Sequence, residues 1–111
     1  MSKPRKNLNI PRKLAFSKQN GLCYYCNQPM WTKDSARFAL KYHKKISQIL
    51  GFQCTGEHLT PHSVGGTTNQ KNIVAACRFC NQQRHKRKVI LDPKGFKSFI
   101  QVRLSRGKWN A

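Results

Sequence analysis

Acidic side chains are almost missing from this chain. Only Asp34, Glu57 and Asp92 carry carboxylates, against 22 Lys and Arg, and the formal net charge is +19. That scarcity makes each carboxylate worth explaining. Long apolar runs are also absent: none approaches the roughly 20 residues of a membrane helix. The N-terminal MSKPRKNLNIPRK has no apolar stretch of the kind that marks a secretory leader. The expectation is therefore an intracellular protein, cytoplasmic or nucleoid-associated, whose thiols stay reduced. With 111 residues the chain is one domain and small for a self-sufficient core, so a bound metal would help it fold.

What the chain has in excess is positive charge. A cationic surface attracts polyanions by releasing their condensed counterions, and nucleic acid is the expected partner. An acidic protein or an acidic membrane surface would answer the charge equally, but no strongly amphipathic basic helix suited to a membrane stands out. Of the three acids, Asp34 and Asp92 precede helical patterns and suit helix starts. Glu57 has no such role and is the acid expected to do chemistry.

Residues 1–10 read as a basic tail and 11–106 as a single domain. Residues 11–20 predict a short helix, with Pro11 in its first turn, Gly21 as its stop, and Leu14 and Phe16 facing inward. Residues 22–29 predict a tight turn presenting two sulfurs. Residues 32–50 carry the longest helical pattern, capped by Thr32 and favoured by Asp34. Ala36, Ala39, Leu40, His43, Ile46, Ile49 and Leu50 fall near one face, and Lys41, Lys44 and Lys45 outward. Residues 52–59 and 72–76 are strand-like, joined by a Gly-, Thr- and Asn-rich loop. A helix is expected from Phe79 or Cys80 to about Lys88. A last helix is expected between Asp92 with Pro93 and the stop at Gly107, with Phe96, Phe99, Ile100 and Leu104 closing over the core.

Five cysteines are present, four of them in two matched pairs, Cys23-x-x-Cys26 and Cys77-x-x-Cys80. Two such pairs are the ligand pattern of a tetrahedral structural zinc site. Disulfides or plain core packing are the bland alternatives, and a reducing compartment disfavours the first. Cys54 is left over and is expected to pack beside the first strand.

Between the strands and the second cysteine pair lies the densest chemistry: Glu57-His58-Leu59, then Pro61 and Gly65-Gly66, then Asn72-Ile73-Val74-Ala75-Ala76-Cys77-x-x-Cys80-Asn81-x-x-Arg84. Glu57 is a hard oxygen donor for a cation such as Mg²⁺, and His58 titrates near neutrality. This order of residues resembles the HNH endonucleases of the ββα-metal type, over roughly residues 22–88. The resemblance implies an α+β fold, a small zinc-stapled ββα-metal (His-Me finger) core at about residues 53–88 with flanking helices. It further implies DNA as the partner and hydrolysis of its phosphodiester bonds. Glu57 would hold one catalytic divalent cation, Mg²⁺ or another such as Mn²⁺. His58 would be the general base, and Asn72 would brace the loop and orient that base.

Asn81 takes the position where the family name has a histidine, giving an H-N-N pattern, and its amide oxygen can ligate a hard cation. His85, four residues later on the same helical face, and His62 in the loop are possible additional site residues. Lys71, Arg78, Arg84, Lys86, Arg87 and Lys88 are candidate phosphate contacts. Two other readings fit parts of the sequence. A non-catalytic zinc module that binds nucleic acid accounts for charge and cysteines but not for the order of Glu57-His58, Asn72 and Asn81. A degenerate nuclease fold recruiting protein partners predicts decay at the motif positions, and each holds a competent residue.

Overall fold

The computed structural model describes residues 9–59 and 72–109. His62, Lys71, Pro61 and the Gly65-Gly66 pair lie outside these residues. In chain order the elements are α1 (Asn9–Lys18), α2 (Ser35–Lys41), β1 (Cys54–His58), β2 (Ile73–Cys77), α3 (Arg78–His85) and α4 (Pro93–Ser105). The class is α+β, with a two-stranded antiparallel sheet. No described helix is long and apolar enough to cross a membrane.

The hairpin pairs Cys54 with Cys77, Gly56 with Ala75 and His58 with Ile73. Two strands alone are marginal in water, so the rest of the chain supports them. The turn of the first cysteine pair lies against β2, where Tyr24 N–H donates to the Ala75 carbonyl at 2.9 Å. The Gln19 side-chain amide completes the same rung. Its Nε2 donates to Ala75 O at 2.8 Å and its Oε1 accepts from Ala75 N at 2.9 Å. On the β1 side, Cys54 N–H donates to Trp31 O at 2.8 Å, and Arg12 Nη1 donates to Cys54 O at 3.4 Å.

The core joins Ala15, the cysteines, Tyr25, Met30, Ala75, Ala76, Phe96 and Ile100. The last helix behaves as its sequence predicts. Asp92 Oδ1 accepts from Gly95 N at 2.8 Å, Pro93 opens the first turn, and Gly107 follows the end at φ 66°. Phe96 is fully buried, edge-on to Tyr25 at 5.0 Å, and Ile100 is buried beside it. Phe99 and Leu104 pack against the same cluster.

Three expectations need correction. The helix predicted over 32–50 is real only at Ser35–Lys41, and its cap is Asp34, which accepts from Arg37 N at 2.9 Å, rather than Thr32. His43 then takes a left-handed φ of 54°, and two single-turn 3-10 helices follow at Ile46–Gln48 and Leu50–Phe52. The break aims Ile49 into the protein while Leu40, 78 % exposed, and Ile46 stay outside. In α1 the inward residue is Ala15, with Phe16 packed partly behind it, and Leu14 is exposed. Finally, α3 begins at Arg78 and ends at His85, a little earlier at each end than the pattern suggested.

Candidate functional site

The four paired cysteines meet. Cys23, Cys26, Cys77 and Cys80 are all buried, and their sulfurs lie within 4.8 Å of one another. None is disulfide-bonded. A tetrahedron with zinc–sulfur bonds of about 2.3 Å separates its sulfurs by about 3.8 Å, and Cys26 Sγ lies 3.8 Å from Cys77 Sγ. Backbone N–H groups point at the cluster: those of Tyr25, Cys26 and Cys77 reach Cys23 Sγ at 3.4, 3.5 and 3.3 Å. The donor set therefore fits a tetrahedrally held metal ion, and four thiolates suit zinc or iron rather than a hard cation.

Crowding four thiols sets their acidities against one another. Hydrogen bonds from Cys26, Cys77 and Cys80 hold the Cys23 thiol far below its ordinary range. Cys77 and Cys80 are pushed up, chiefly by their hydrogen bonds to Cys23 and further by burial. Cys77 also caps α3, its sulfur accepting from Cys80 N at 3.4 Å, and Trp109 Nε1 donates to Cys80 Sγ at 3.3 Å. Cys54 is buried in the core, as expected of a packing residue, and burial pushes its thiol up to about 11.

The second cluster forms where α3 crosses β1. Strand alternation puts Thr55 and Glu57 on one face, and α3 lies on it. Asn81 Nδ2 donates to Thr55 Oγ1 at 3.0 Å and to Gly56 O at 3.5 Å. One turn on, His85 Nε2 is 3.1 Å from Glu57 Oε1. Glu57 is only 2 % exposed, and its Oε2 is buried with no hydrogen-bond partner among the described residues. An orphaned carboxylate oxygen, with an imidazole on the same carboxylate and an amide one helical turn away, is a donor set that suits a divalent cation.

Arg84 is the residue the sequence misplaces. Expected at the surface as a phosphate contact, it is 1 % exposed. Its Nη1 lies 3.4 Å from Glu57 Oε1, its Nε donates to Leu91 O at 3.1 Å, and Nη1 reaches His58 O at 3.5 Å. Helical geometry explains the burial: Cys80 and Arg84 are four apart and share the inward face. Tyr25 lies beneath this pair, and burial, with the Glu57 charge adding, pushes its hydroxyl above the ordinary range.

His58 follows Glu57 at the end of β1, is half-buried and pairs with Ile73. Asn72 immediately precedes β2, and its carbonyl accepts from Leu59 N at 2.8 Å, which closes the hairpin beyond His58. Arg78, Lys86, Arg87 and Lys88 are exposed, as expected of residues available to a polyanion. The Arg87 guanidinium is held over the Phe99 ring at 4.6 Å.

No curated protein and no solved structure matches the chain. The stretch that carries both strands, α3 and the second cysteine pair does match a family model: residues 42–87 fit that of the HNH endonuclease.

Proposed function

We propose that this protein is a metal-dependent HNH endonuclease that hydrolyses DNA phosphodiester bonds, with β1, β2 and α3 as its ββα-metal core and zinc as a structural staple. The observation that carries the reading is the Glu57 carboxylate, buried under α3 with one oxygen unpartnered among the described residues, His85 against it, and Asn81 one helical turn away on Thr55. The match of residues 42–87 to the family model and the charge of +19 support this reaction class and substrate.

In this reading Glu57 and Asn81 hold the catalytic cation, and the 3.1 Å contact to Glu57 makes His85 a third candidate ligand. A bound divalent cation would neutralise charge developing on a non-bridging phosphate oxygen and on the departing 3′ oxygen. The chain's own groups do the rest. Neutral His58 accepts a proton from the attacking water. Asn72, one residue before β2 and bonded to Leu59, braces the hairpin end that carries His58. Arg84 ties the His58 carbonyl and the Glu57 carboxylate to the segment after α3, which fixes the end of β1. The resemblance implies products with a 5′ phosphate and a 3′ hydroxyl.

The test is incubation of supercoiled plasmid with purified protein, with and without Mg²⁺ or Mn²⁺, beside His58→Ala. Metal-dependent nicking or linearisation reduced about 10²–10⁴-fold in the variant is the expected result. Equal cutting by both proteins refutes the assignment of the base. One observation favours the non-catalytic zinc module instead: Glu57 is already paired with a buried Arg84. That reading predicts a DNA shift by both proteins and cleavage by neither.

A further inference from the structure

We infer that the groove between α1 and α3 is the track of the DNA strand beside the scissile phosphate, with Arg12 on one wall and Arg78 on the other as its phosphate contacts. The inference rests on DNA as the partner and not on cleavage.

The geometry follows from helix spacing. Arg78, Asn81, Gln82 and His85 stand at intervals of three and four along α3 and form one stripe, while Cys80 and Arg84 point into the protein. That stripe makes one side of a groove of about 560 Å³, floored by β1 at Thr55 and Gly56. Arg12 of α1 makes the other side. At one end His85 touches Glu57, so the groove leads to the proposed cation site. No carboxylate lines it. Its lining offers two guanidinium groups and several amides, a surface that attracts an anion and can donate to phosphate and base edges alike. A groove of this size accommodates a ligand of nucleotide dimensions.

Arg12 is only partly spent on the fold. A guanidinium has five N–H donors. Two of them make long bonds, Nη1 to Cys54 O at 3.4 Å and Nη2 to Asn9 Oδ1 at 3.3 Å. Its Nε is buried without a partner among the described residues and is closed to a ligand. The two Nη contacts hold the head at the groove, and the remaining Nη hydrogens are the donors left for a phosphate. On the opposite wall, Arg78 is exposed at the first turn of α3, its backbone N–H anchored to Gln53 O at 2.8 Å. Arg12 lies outside the segment that matches the family model, so α1 would add a DNA contact that this segment lacks.

The experiment measures binding of a fluorescent 20-base-pair duplex by zinc-loaded protein across a KCl series, with no catalytic cation added. Compared are the wild type, Arg12→Gln, Arg78→Gln, the double variant, and Arg106→Gln, an exposed residue outside the groove. Each groove substitution should weaken binding for all sequences and lower the slope of log K against log salt by about 1; the double variant should lower it by about 2. Arg106→Gln should leave the slope unchanged.

Arg12→Lys keeps the charge and should keep the slope. If it loses the slope as Arg12→Gln does, Arg12 acts through the fold, and the inference fails. A wild-type slope in Arg12→Gln, with normal zinc content, overturns it as well. A chain that shows the expected slopes yet cuts no plasmid retains the groove and loses the nuclease.

Discussion

Replacing Arg84 by Met tests the buried ion pair and the cation site together. Arg84 and Glu57 are 1 % and 2 % exposed and 3.4 Å apart. At an effective dielectric of 20, charges at that distance attract by about 5 kcal/mol before desolvation is counted. Removing one partner from such a pair costs about 3–5 kcal/mol, because the other is left buried and uncompensated. Urea denaturation of the zinc-loaded protein should therefore show Arg84→Met destabilised by about that amount. Glu57→Gln/Arg84→Met should recover most of the loss, because neither charge then remains.

A divalent cation bound by Glu57 can replace the missing guanidinium charge. Mg²⁺ or Mn²⁺ at about 100 times its dissociation constant should restore about 2.7 kcal/mol to Arg84→Met, and should restore nothing to the double variant. An Arg84→Met protein as stable as wild type would refute the energetic role of the pair. One that is destabilised but indifferent to both cations would refute Glu57 as a cation ligand.

Other outcomes follow from the sulfur chemistry. Metal analysis should find one zinc per chain. Stripping it with a strong chelator should expose thiols to a thiol reagent that the folded protein resists, with loss of helical circular dichroism, since Cys77 serves both the cluster and the cap of α3. Cys54 gives an alkaline signature. Its folded value of about 11 lies above the ordinary 9.0, so the native state keeps the proton longer than the unfolded chain. That contribution is fully present below pH 9 and fades as pH rises toward 11, by about 1.4 kcal/mol per unit. Stability measured over this window should fall less steeply in Cys54→Ala than in wild type; equal slopes would show that Cys54 is not responsible.

Much of this arrangement was legible in the sequence where the determinant is local. Asp92-Pro93 and Gly107 bracket α4 because cap and stop residues act within one turn. The two cysteine pairs announce their meeting because only a shared metal needs both. The failures are equally physical. Hydrophobic periodicity over 32–50 cannot reveal that His43 turns left-handed and that Lys44 N–H closes the helix onto Ala39 O at 2.8 Å, since no Gly or Pro marks the break. Arg84 looked like a surface cation because its partner is distant in sequence, and composition assigns charges to solvent until a contact shows otherwise. His85 was visible as one turn from Asn81, but only the crossing of α3 over β1 places it on Glu57. The same crossing, with α1 opposite, brings half-buried Arg12 to the groove, and the motif gave no signal for it.

The side chains along the hairpin carry a consequence for association. Gln19 occupies the outward amide and carbonyl of Ala75, Arg12 the outward carbonyl of Cys54, and Asn81 that of Gly56. Open strand borders are templates on which a further strand can be laid. Here amide and guanidinium groups act as stoppers on both borders, so the smallest possible sheet ends as a closed unit. Chains gathered at high local concentration along one polyanion have no ladder at these positions by which to zip together.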